Sequence, residues 1–254
     1  MASANSYEDA RRAAAYAKLG FTGTYFLAYR DLPELIARHV RGREALDFGC
    51  GTGRSTRFLR DLGFNVIGVD IADEMIARAR EAEPDGDYRR IRDGEFSGIG
   101  KASRDLVLSV FTFDNIPTME RKVGILQGIG ELLKPGGRTL LVVSSPQIYV
   151  NEWVSFSTRD FPGNREARTG DTVRIIVTDT EDRRPVEDIL WTDESYHEVF
   201  GRAGLVVEEV RRPLARGDEP EEWVSETRIP PWVLYVLRRG ETIAPGTDLR
   251  RLDI

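Results

Sequence analysis

The segment EALDFGCGTGRSTRFLRDL, residues 44–62, contains a strand-like apolar run, a glycine-rich turn and a helical run in immediate succession. The apolar run ends at Phe48, and Gly49, Gly51 and Gly53 follow at alternate positions. Glycine has no Cβ atom, so such a turn lets backbone N–H groups come close to a ligand. These N–H groups and the dipole of the following helix favour an anionic group at this point. The segment therefore predicts a ligand site at the tip of a strand.

The spacing of the glycines argues against two phosphate-binding motifs. The dinucleotide fingerprint G-x-G-x-x-G, aligned on Gly49 and Gly51, requires glycine or alanine at position 54, which is Arg54. A P-loop requires glycine, lysine and a hydroxyl residue in succession, and this turn lacks them. Both phosphate-binding interpretations, a nucleotide-dependent oxidoreductase among them, are therefore disfavoured.

Short β-prone runs alternate with helical runs from residue 43 to residue 145. Near-continuous apolar strands separated by helices predict a parallel sheet with helices on both faces and right-handed crossovers. After residue 145 the alternation stops, and TVRIIVTD (172–179) and VEDILWT (186–192) predict two antiparallel strands. We therefore predict an α/β fold with a doubly wound, mostly parallel seven-stranded sheet and a small antiparallel insertion as a lid.

A chain of 254 residues with 41% hydrophobic side chains can bury a core of this size as one large domain. We predict five parts along it. They are an N-terminal helical cap at 1–42, a ligand-binding α/β core at 43–145, an inserted lid at 146–192, a C-terminal completion of the core sheet at 193–240 and a tail at 241–254.

The charge and the cysteine content limit the kinds of partner and the cellular compartment that we expect. The 42 acidic and 36 basic residues give a formal net charge of -6, so no overall basic field attracts nucleic acid or an anionic membrane. The single cysteine, Cys50, cannot form an internal disulfide, which fits a reducing cytoplasm. The sequence holds no apolar run of about 18 residues and no secretory h-region. We expect a soluble cytoplasmic protein, a monomer or homodimer, without nucleic-acid or membrane partners.

Five motifs along the core occur together and in a characteristic order. They are D-x-G-C-G-T-G (47–53), GVDIADEMIARAR (68–80), RDGEF (92–96), DLVLSVFTFDNIP (105–117) and LLKPGG (132–137). As a set, this order resembles the class I S-adenosylmethionine-dependent methyltransferases over roughly residues 43–145. The resemblance implies a Rossmann-like fold, S-adenosyl-L-methionine as the cofactor and S-adenosyl-L-homocysteine as the product.

The resemblance also implies which residues hold the cofactor. The glycine turn would receive its methionine portion, Asp47 its ammonium group and Asp70 both ribose hydroxyls, since a carboxylate accepts two hydrogen bonds with good geometry. Tyr25 and Arg30 of the N-terminal segment would close over its carboxylate and sulfonium. The full predicted cofactor set is Tyr25, Arg30, Asp47, Gly49, Cys50, Gly51, Gly53, Asp70, Ile71, Met75, Asp93, Gly94 and Phe111. Each has a structural alternative: Asp70 can simply end a strand, and Met75 or Phe111 can be ordinary core.

The acceptor side is predicted after the fourth strand and in the lid. Asp114 and Asn115 are candidates to orient a polar acceptor, and His197 is a candidate base. The candidate substrate residues are the aromatic side chains Phe113, Tyr149, Trp153 and Phe156. The alternatives are a loop cap for the polar pair, exposed helix surface for His197, and coverage of the sheet edge for the aromatic side chains. Two separated histidines and one cysteine offer no zinc-site spacing, so we predict no metal.

The function predicted from these residues is metal-independent transfer of a methyl group to nitrogen or oxygen of a small-molecule metabolite by in-line displacement. An activated sulfonium requires mainly alignment of the nucleophile and exclusion of water. Two alternatives remain open at this point. One is an RNA or protein methyltransferase, and the other is a catalytically inactive subunit that binds the cofactor and supports a partner.

Overall fold

A computed structural model describes residues 9–92 and 94–240. The helices are α1 (Ala10–Ala17), α2 (Thr24–Arg30), α3 (Leu32–His39), α4 (Arg54–Asp61), α5 (Asp73–Ala82), α6 (Met119–Leu132) and α7 (Asp193–Arg202). The strands are β1 (Glu44–Phe48), β2 (Asn65–Asp70), β3 (Asp87–Arg90), β4 (Arg104–Val110), β5 (Leu133–Ser144), β6 (Phe156–Ser157), β7 (Thr172–Val177), β8 (Val186–Ile189), β9 (Leu205–Arg211) and β10 (Trp232–Arg239). Short 3₁₀ turns occupy Phe113–Asn115, Pro146–Tyr149 and Pro162–Glu166.

Seven strands form one sheet in the order β3-β2-β1-β4-β5-β10-β9. Strands β1 to β5 pair in parallel, whereas β10 runs antiparallel to both β5 and β9. The predicted fold class, a doubly wound and mostly parallel seven-stranded sheet, is confirmed. The strand order reverses between β1 and β4, and open α/β sheets bind ligands outside the carboxyl ends of the strands at such a point. The glycine turn follows β1, and the 3₁₀ turn at 113–115 follows β4, so both lie at this switch point.

Alternate residues of the central strands divide the core between the two faces of the sheet. Leu106 and Leu108 of β4 pack in a cluster with α2, α3 and the inserted segment. Val107, between them, packs in a second cluster with α6 and α7. All three side chains are fully buried. This two-residue period is that of a strand whose two faces are both covered, and it explains why Leu106, Val107 and Leu108 are apolar without interruption.

The insertion forms a second sheet in the order β6-β7-β8. The two predicted antiparallel strands are found as β7 and β8, and the two-residue strand β6 pairs with β7. The insertion is attached to the N-terminal helices by polar contacts. The guanidinium of Arg12 lies 3.5 Å from the carboxylate of Asp182, and the Thr24 N–H donates to Ser155 Oγ at 2.9 Å. Helices α2 and α3 and the insertion therefore cover the same face of the sheet.

The predicted division into five parts stays a prediction, and the tail at 241–254 lies outside the described residues. No helix within the described ranges has the length and apolar character needed to cross a membrane.

Candidate functional site

The turn at the end of β1 adopts the conformation that its glycines permit. Gly49, Gly51 and Gly53 have φ angles of 74°, 53° and 82°, which other residues rarely adopt. The N–H groups of Gly49 and Cys50 donate to the Val69 carbonyl at 2.8 and 2.9 Å, so the turn is tied to β2. Cys50 is buried, and burial raises the pKa of its thiol well above the usual range.

The three glycines differ in what surrounds them. A Cβ atom at Gly49 would lie 2.0 Å from Thr112 Oγ1, and one at Gly53 would lie 2.5 Å from the Tyr88 hydroxyl. A Cβ atom at Gly51 would meet nothing within 4 Å. Gly49 and Gly53 are therefore needed for packing inside the protein, whereas Gly51 presents its backbone to open space where a ligand can approach.

Asp70, at the end of β2, accepts a hydrogen bond from the glycine turn. Its Oδ2 accepts a hydrogen bond from the Gly51 N–H at 2.9 Å, and its Oδ1 accepts one from the Ala72 N–H at 2.9 Å. Burial raises the pKa of Asp70, and these N–H donors oppose the rise. Each carboxylate oxygen has a second lone pair available for a ligand hydroxyl.

Asp47, at the base of the turn, has one carboxylate oxygen without a partner. Its Oδ2 accepts from Ser55 Oγ at 2.7 Å and from Thr56 Oγ1 at 2.6 Å. Its Oδ1 is buried and has no hydrogen-bond partner among the described residues. Burial raises the pKa of Asp47 to about 6. A buried acceptor left unpaired is unfavourable, so this oxygen is suited to a donor from a ligand.

A cavity of about 490 Å³, its open mouth included, lies between the switch point, α2 and the lid. Aromatic rings form much of its wall: Tyr16, Tyr25, Phe111, Tyr149, Phe156 and Trp232. The Phe111 ring lies 4.4 Å from the Trp232 ring, and the Tyr25 ring lies 5.1 Å from the Phe156 ring. Phe111 ends β4 with a φ of 62°, a strained backbone for a non-glycine residue and one found most often at functional sites.

Asp114 and Asn115 line this cavity, where the sequence prediction puts the acceptor. The carboxylate of Asp114 accepts from the Ser144 N–H at 3.0 Å and from the Tyr196 hydroxyl at 3.3 Å. Burial raises the pKa of Asp114 to about 6, although the nearby Lys122 opposes the rise. The Asn115 side-chain N–H donates to the Phe111 carbonyl at 3.2 Å, which holds the amide at the end of β4.

Two buried ionisable residues near Asp114 were not predicted. Asp188 of β8 lines the cavity and accepts from the Tyr149 hydroxyl at 3.0 Å. Burial, followed by repulsion from Asp114, raises the pKa of Asp188 to about 7. Lys122 of α6 is 0% exposed and donates to the Phe113 carbonyl. Burial lowers the pKa of Lys122 to about 7, against the attraction of the two carboxylates.

Arg30 was predicted to reach the cofactor, and the structure corrects this. Its guanidinium pairs with Asp31 at 2.8 Å and with Glu219 at 3.1 Å, and it does not line the cavity. Arg54, the first residue of α4, lines the cavity instead, with its guanidinium 4.8 Å from the centre of the Tyr25 ring. Arg30 is diverted because acidic partners lie next to it in sequence and in the loop before β10.

Three predicted acceptor residues also lie outside this cavity. Phe113 packs against Phe48 in the cluster with α6, because the 3₁₀ turn directs its ring to that face of the sheet. Trp153 is buried in the core, and its indole N–H donates to the Ile148 carbonyl at 2.9 Å. His197 has a side chain that is 48% exposed on α7, since Tyr196 and Phe200 take the buried side of that helix. We therefore retain none of the three as an acceptor or catalytic residue.

Two further predicted cofactor residues, Ile71 and Met75, follow the end of β2. Ile71 follows Asp70 and is 40% exposed, whereas Met75 is buried with Ala72 and Ala13. Gly94 has a φ of 70°. Asp93 lies outside the described residues.

A second cavity of about 610 Å³, its open mouth included, lies on the face of the sheet that carries α6 and α7. Two of the charged residues that line it, Arg212 and Asp193, pair with each other at 2.9 Å. No group of three His, Cys, Asp or Glu side chains within residues 9–92 and 94–240 is placed to hold a metal ion.

A family model described as "Methyltransferase domain" matches residues 46–141. Cypemycin N-terminal methyltransferase from Streptomyces sp is 30% identical over 148 residues, 58% of this chain and 58% of that protein. Demethylmenaquinone methyltransferase from Tropheryma whipplei (strain Twist) is 37% identical over 112 residues, 43% of this chain and 45% of that protein. The chain thus spans about half the length of these relatives. A solved S-adenosylmethionine-dependent methyltransferase from Clostridium acetobutylicum shares the fold, with a TM-score of 0.60, 14% identity, and coverage of 89% of this chain and 94% of that one.

Proposed function

We propose that this chain, which matches a methyltransferase domain over residues 46–141, transfers a methyl group from S-adenosyl-L-methionine to a small-molecule acceptor. The acceptor atom is nitrogen or oxygen. The observation that carries the proposal is the open space at Gly51, where a Cβ atom would meet nothing within 4 Å although both flanking glycines are closely packed.

The residues around the turn fit the proposed cofactor. The unpartnered Asp47 Oδ1 is suited to its ammonium group, and the guanidinium of Arg54 to its carboxylate. Asp70 accepts backbone hydrogen bonds with both oxygens and keeps lone pairs for the two ribose hydroxyls. Ile71 and Met75, which follow Asp70, supply apolar surface for the adenine.

When bound, the cofactor supplies a methyl group activated by the sulfonium, with a neutral thioether as leaving group. The chain itself has to align the acceptor and exclude water. The aromatic rings of the cavity exclude water, and Asp114 with Asn115 orients the acceptor at the end of β4. Asp114 and Asp188, with pKa values raised to about 6 and 7, are suited to accept a proton near neutral pH.

The lining of the cavity supports a small acceptor. Residues of the lid and of the N-terminal helices line it together with the ends of the strands, and aromatic side chains predominate among them, as is typical of small-molecule sites. The relatives are named for different acceptors, demethylmenaquinone and the N terminus of cypemycin. We therefore infer the class of acceptor from the cavity of this chain. We propose a cytoplasmic monomer or homodimer without a nucleic-acid partner, on the net charge of -6 and the single cysteine.

The test is calorimetry followed by a turnover screen. We expect S-adenosylhomocysteine to bind with a stoichiometry of one per chain, and NAD to give no heat. A panel of small metabolites is then incubated with the cofactor and analysed by mass spectrometry for products heavier by one methyl group. Absence of heat with S-adenosylhomocysteine refutes the proposed cofactor site. Binding without turnover on any small molecule, but with turnover on RNA or protein, refutes the small acceptor.

A further inference from the structure

Three ionisable side chains are buried together beside the acceptor cavity. Asp114 and Asp188 are 3% and 9% exposed, and Lys122 is 0% exposed. When all three are ionised, two carboxylates face one ammonium group, which leaves one negative charge in excess. Without a further cation, such a buried cluster loses the excess charge by protonation of a carboxylate, in line with the raised pKa of Asp188, whereas a bound cation stabilises both carboxylates in their ionised form.

Lys122 does not neutralise Asp188 directly. It donates to the Phe113 carbonyl and lies 4.5 Å from the centre of the Trp191 ring. Among residues 9–92 and 94–240, no Lys, Arg or His nitrogen lies within 4.0 Å of the carboxylate of Asp188, whose one hydrogen-bond partner there is Tyr149. Asp188 therefore has unused acceptor capacity where it lines the cavity.

The rest of the cavity wall is also suited to a cation. Aromatic faces attract ammonium groups, and Tyr25, Phe111 and Trp232 line the same space as Asp188. Arg54 is the cation already present, but it begins α4 on the side of the glycine turn and donates to the Gly20 carbonyl at 2.9 Å. Asp188 belongs to β8 of the lid. The cation-binding group is thus contributed by the lid and not by the cofactor side.

We propose that the methyl acceptor is an amine, bound as its ammonium ion by Asp188 and the surrounding aromatic rings. This inference rests on the proposed function and narrows its acceptor from nitrogen or oxygen to an amine nitrogen. Asp188 is then the residue that determines acceptor specificity.

The step balances with the cofactor as methyl donor. The ammonium ion passes one proton to a carboxylate oxygen of Asp188, which frees the nitrogen lone pair. The nitrogen then forms a bond to the methyl carbon as the bond from carbon to sulfur breaks, and that electron pair stays on sulfur. The products are a methylated ammonium ion and S-adenosylhomocysteine, and the proton on Asp188 returns to solvent.

The experiment uses matched probe molecules and two variants. 2-Phenylethylamine, benzylamine and other primary amines are each paired with the alcohol of the same skeleton. Binding is measured by calorimetry in the presence of S-adenosylhomocysteine, and methylation by mass spectrometry. Asp188→Asn removes the charge at nearly constant shape. Glu187→Gln is the control, because Glu187 is the neighbouring carboxylate on β8 and is exposed and paired with Arg174 at 2.8 Å.

We expect at least one amine to bind more tightly than its alcohol and to be methylated. We expect Asp188→Asn to weaken amine binding about 10- to 100-fold, the loss typical of a charged hydrogen bond, with little effect on the alcohols. Glu187→Gln should behave as the wild type. If no amine binds more tightly than its alcohol, or if alcohols alone are methylated, the inference is wrong even where the proposed function stands. If S-adenosylhomocysteine itself fails to bind to the wild type, the proposed function fails first.

Discussion

Replacing Gly51 by alanine separates the binding role of the glycine turn from its structural role. The φ of Gly51 is 53°, so the left-handed conformation costs an alanine about 1–2 kcal/mol of folding free energy. The added methyl group meets no protein atom within 4 Å, and no packing penalty adds to this cost. We therefore expect the Tm to fall by about 2–8 °C while the fold is kept.

The same methyl group would stand in the space through which the cofactor approaches the backbone. Overpacking by one methyl group typically costs about 1–3 kcal/mol, so we expect the Kd for S-adenosylhomocysteine to rise about 5- to 150-fold. The matched control is Gly136→Ala. Gly136 has a φ of 82° and nothing within 4 Å of its Cβ position, but it lies near the amino end of β5, away from the carboxyl ends of the parallel strands. This control should lose similar stability and bind normally. Equal Kd values in Gly51→Ala, Gly136→Ala and the wild type would refute the assignment of the turn.

Three further substitutions test the carboxylates of the site. Asp70→Ala should weaken S-adenosylhomocysteine binding about 10- to 100-fold, as measured by calorimetry. Asp73→Ala, at an exposed position on α5, is the control and should leave binding unchanged. If both variants bind normally, Asp70 does not bind the ribose hydroxyls. Asp114→Asn should lower kcat about 10- to 100-fold in steady-state assays with little change in cofactor affinity, and unchanged kcat would place the acceptor elsewhere. The pKa of Asp47 is raised from 3.8 to about 6, so its protonated form favours folding below pH 4 and this contribution is lost as pH rises through 6. Urea unfolding should therefore show Asp47→Asn gaining stability relative to the wild type between pH 4 and 7, and a constant difference across that range would contradict the shift.

The strand–turn–helix unit and the sheet class could be predicted because they depend on short-range sequence. Gly49 and Gly53 lie where only a residue without a Cβ atom fits, and Asp70 ends the next strand, one residue beyond the Val69 that pairs with Phe48. The placement of Phe113 could not be predicted in the same way. Whether a ring after β4 points to the cavity or to the α6 face depends on the 3₁₀ turn, which the sequence pattern did not reveal.

Arg30 and Arg54 show a different limit. Both are arginines near aromatic residues. Arg30 is held by its sequence neighbour Asp31 and by Glu219 from the other end of the chain, and the second of these partners is not visible in the local sequence. The local sequence did indicate the burial of two residues that were not predicted as part of the site, Lys122 and Asp188. Lys122 precedes Ile125 and Ile129 at helical spacing and so falls on the apolar side of α6. Asp188 shares a strand face with Val186, so its carboxylate had to be buried.

The buried thiol of Cys50 makes the glycine turn observable without any label added by mutation. It is the one cysteine of the sequence, and its protonated, enclosed state leaves it unreactive while the turn is closed. The rate at which Cys50 reacts with a thiol reagent therefore reports how often the end of β1 separates from β2. A ligand that bridges the ends of β1 and β2 must lower this reaction rate. The rate of modification of Cys50 therefore measures how firmly a ligand holds these two strand ends together.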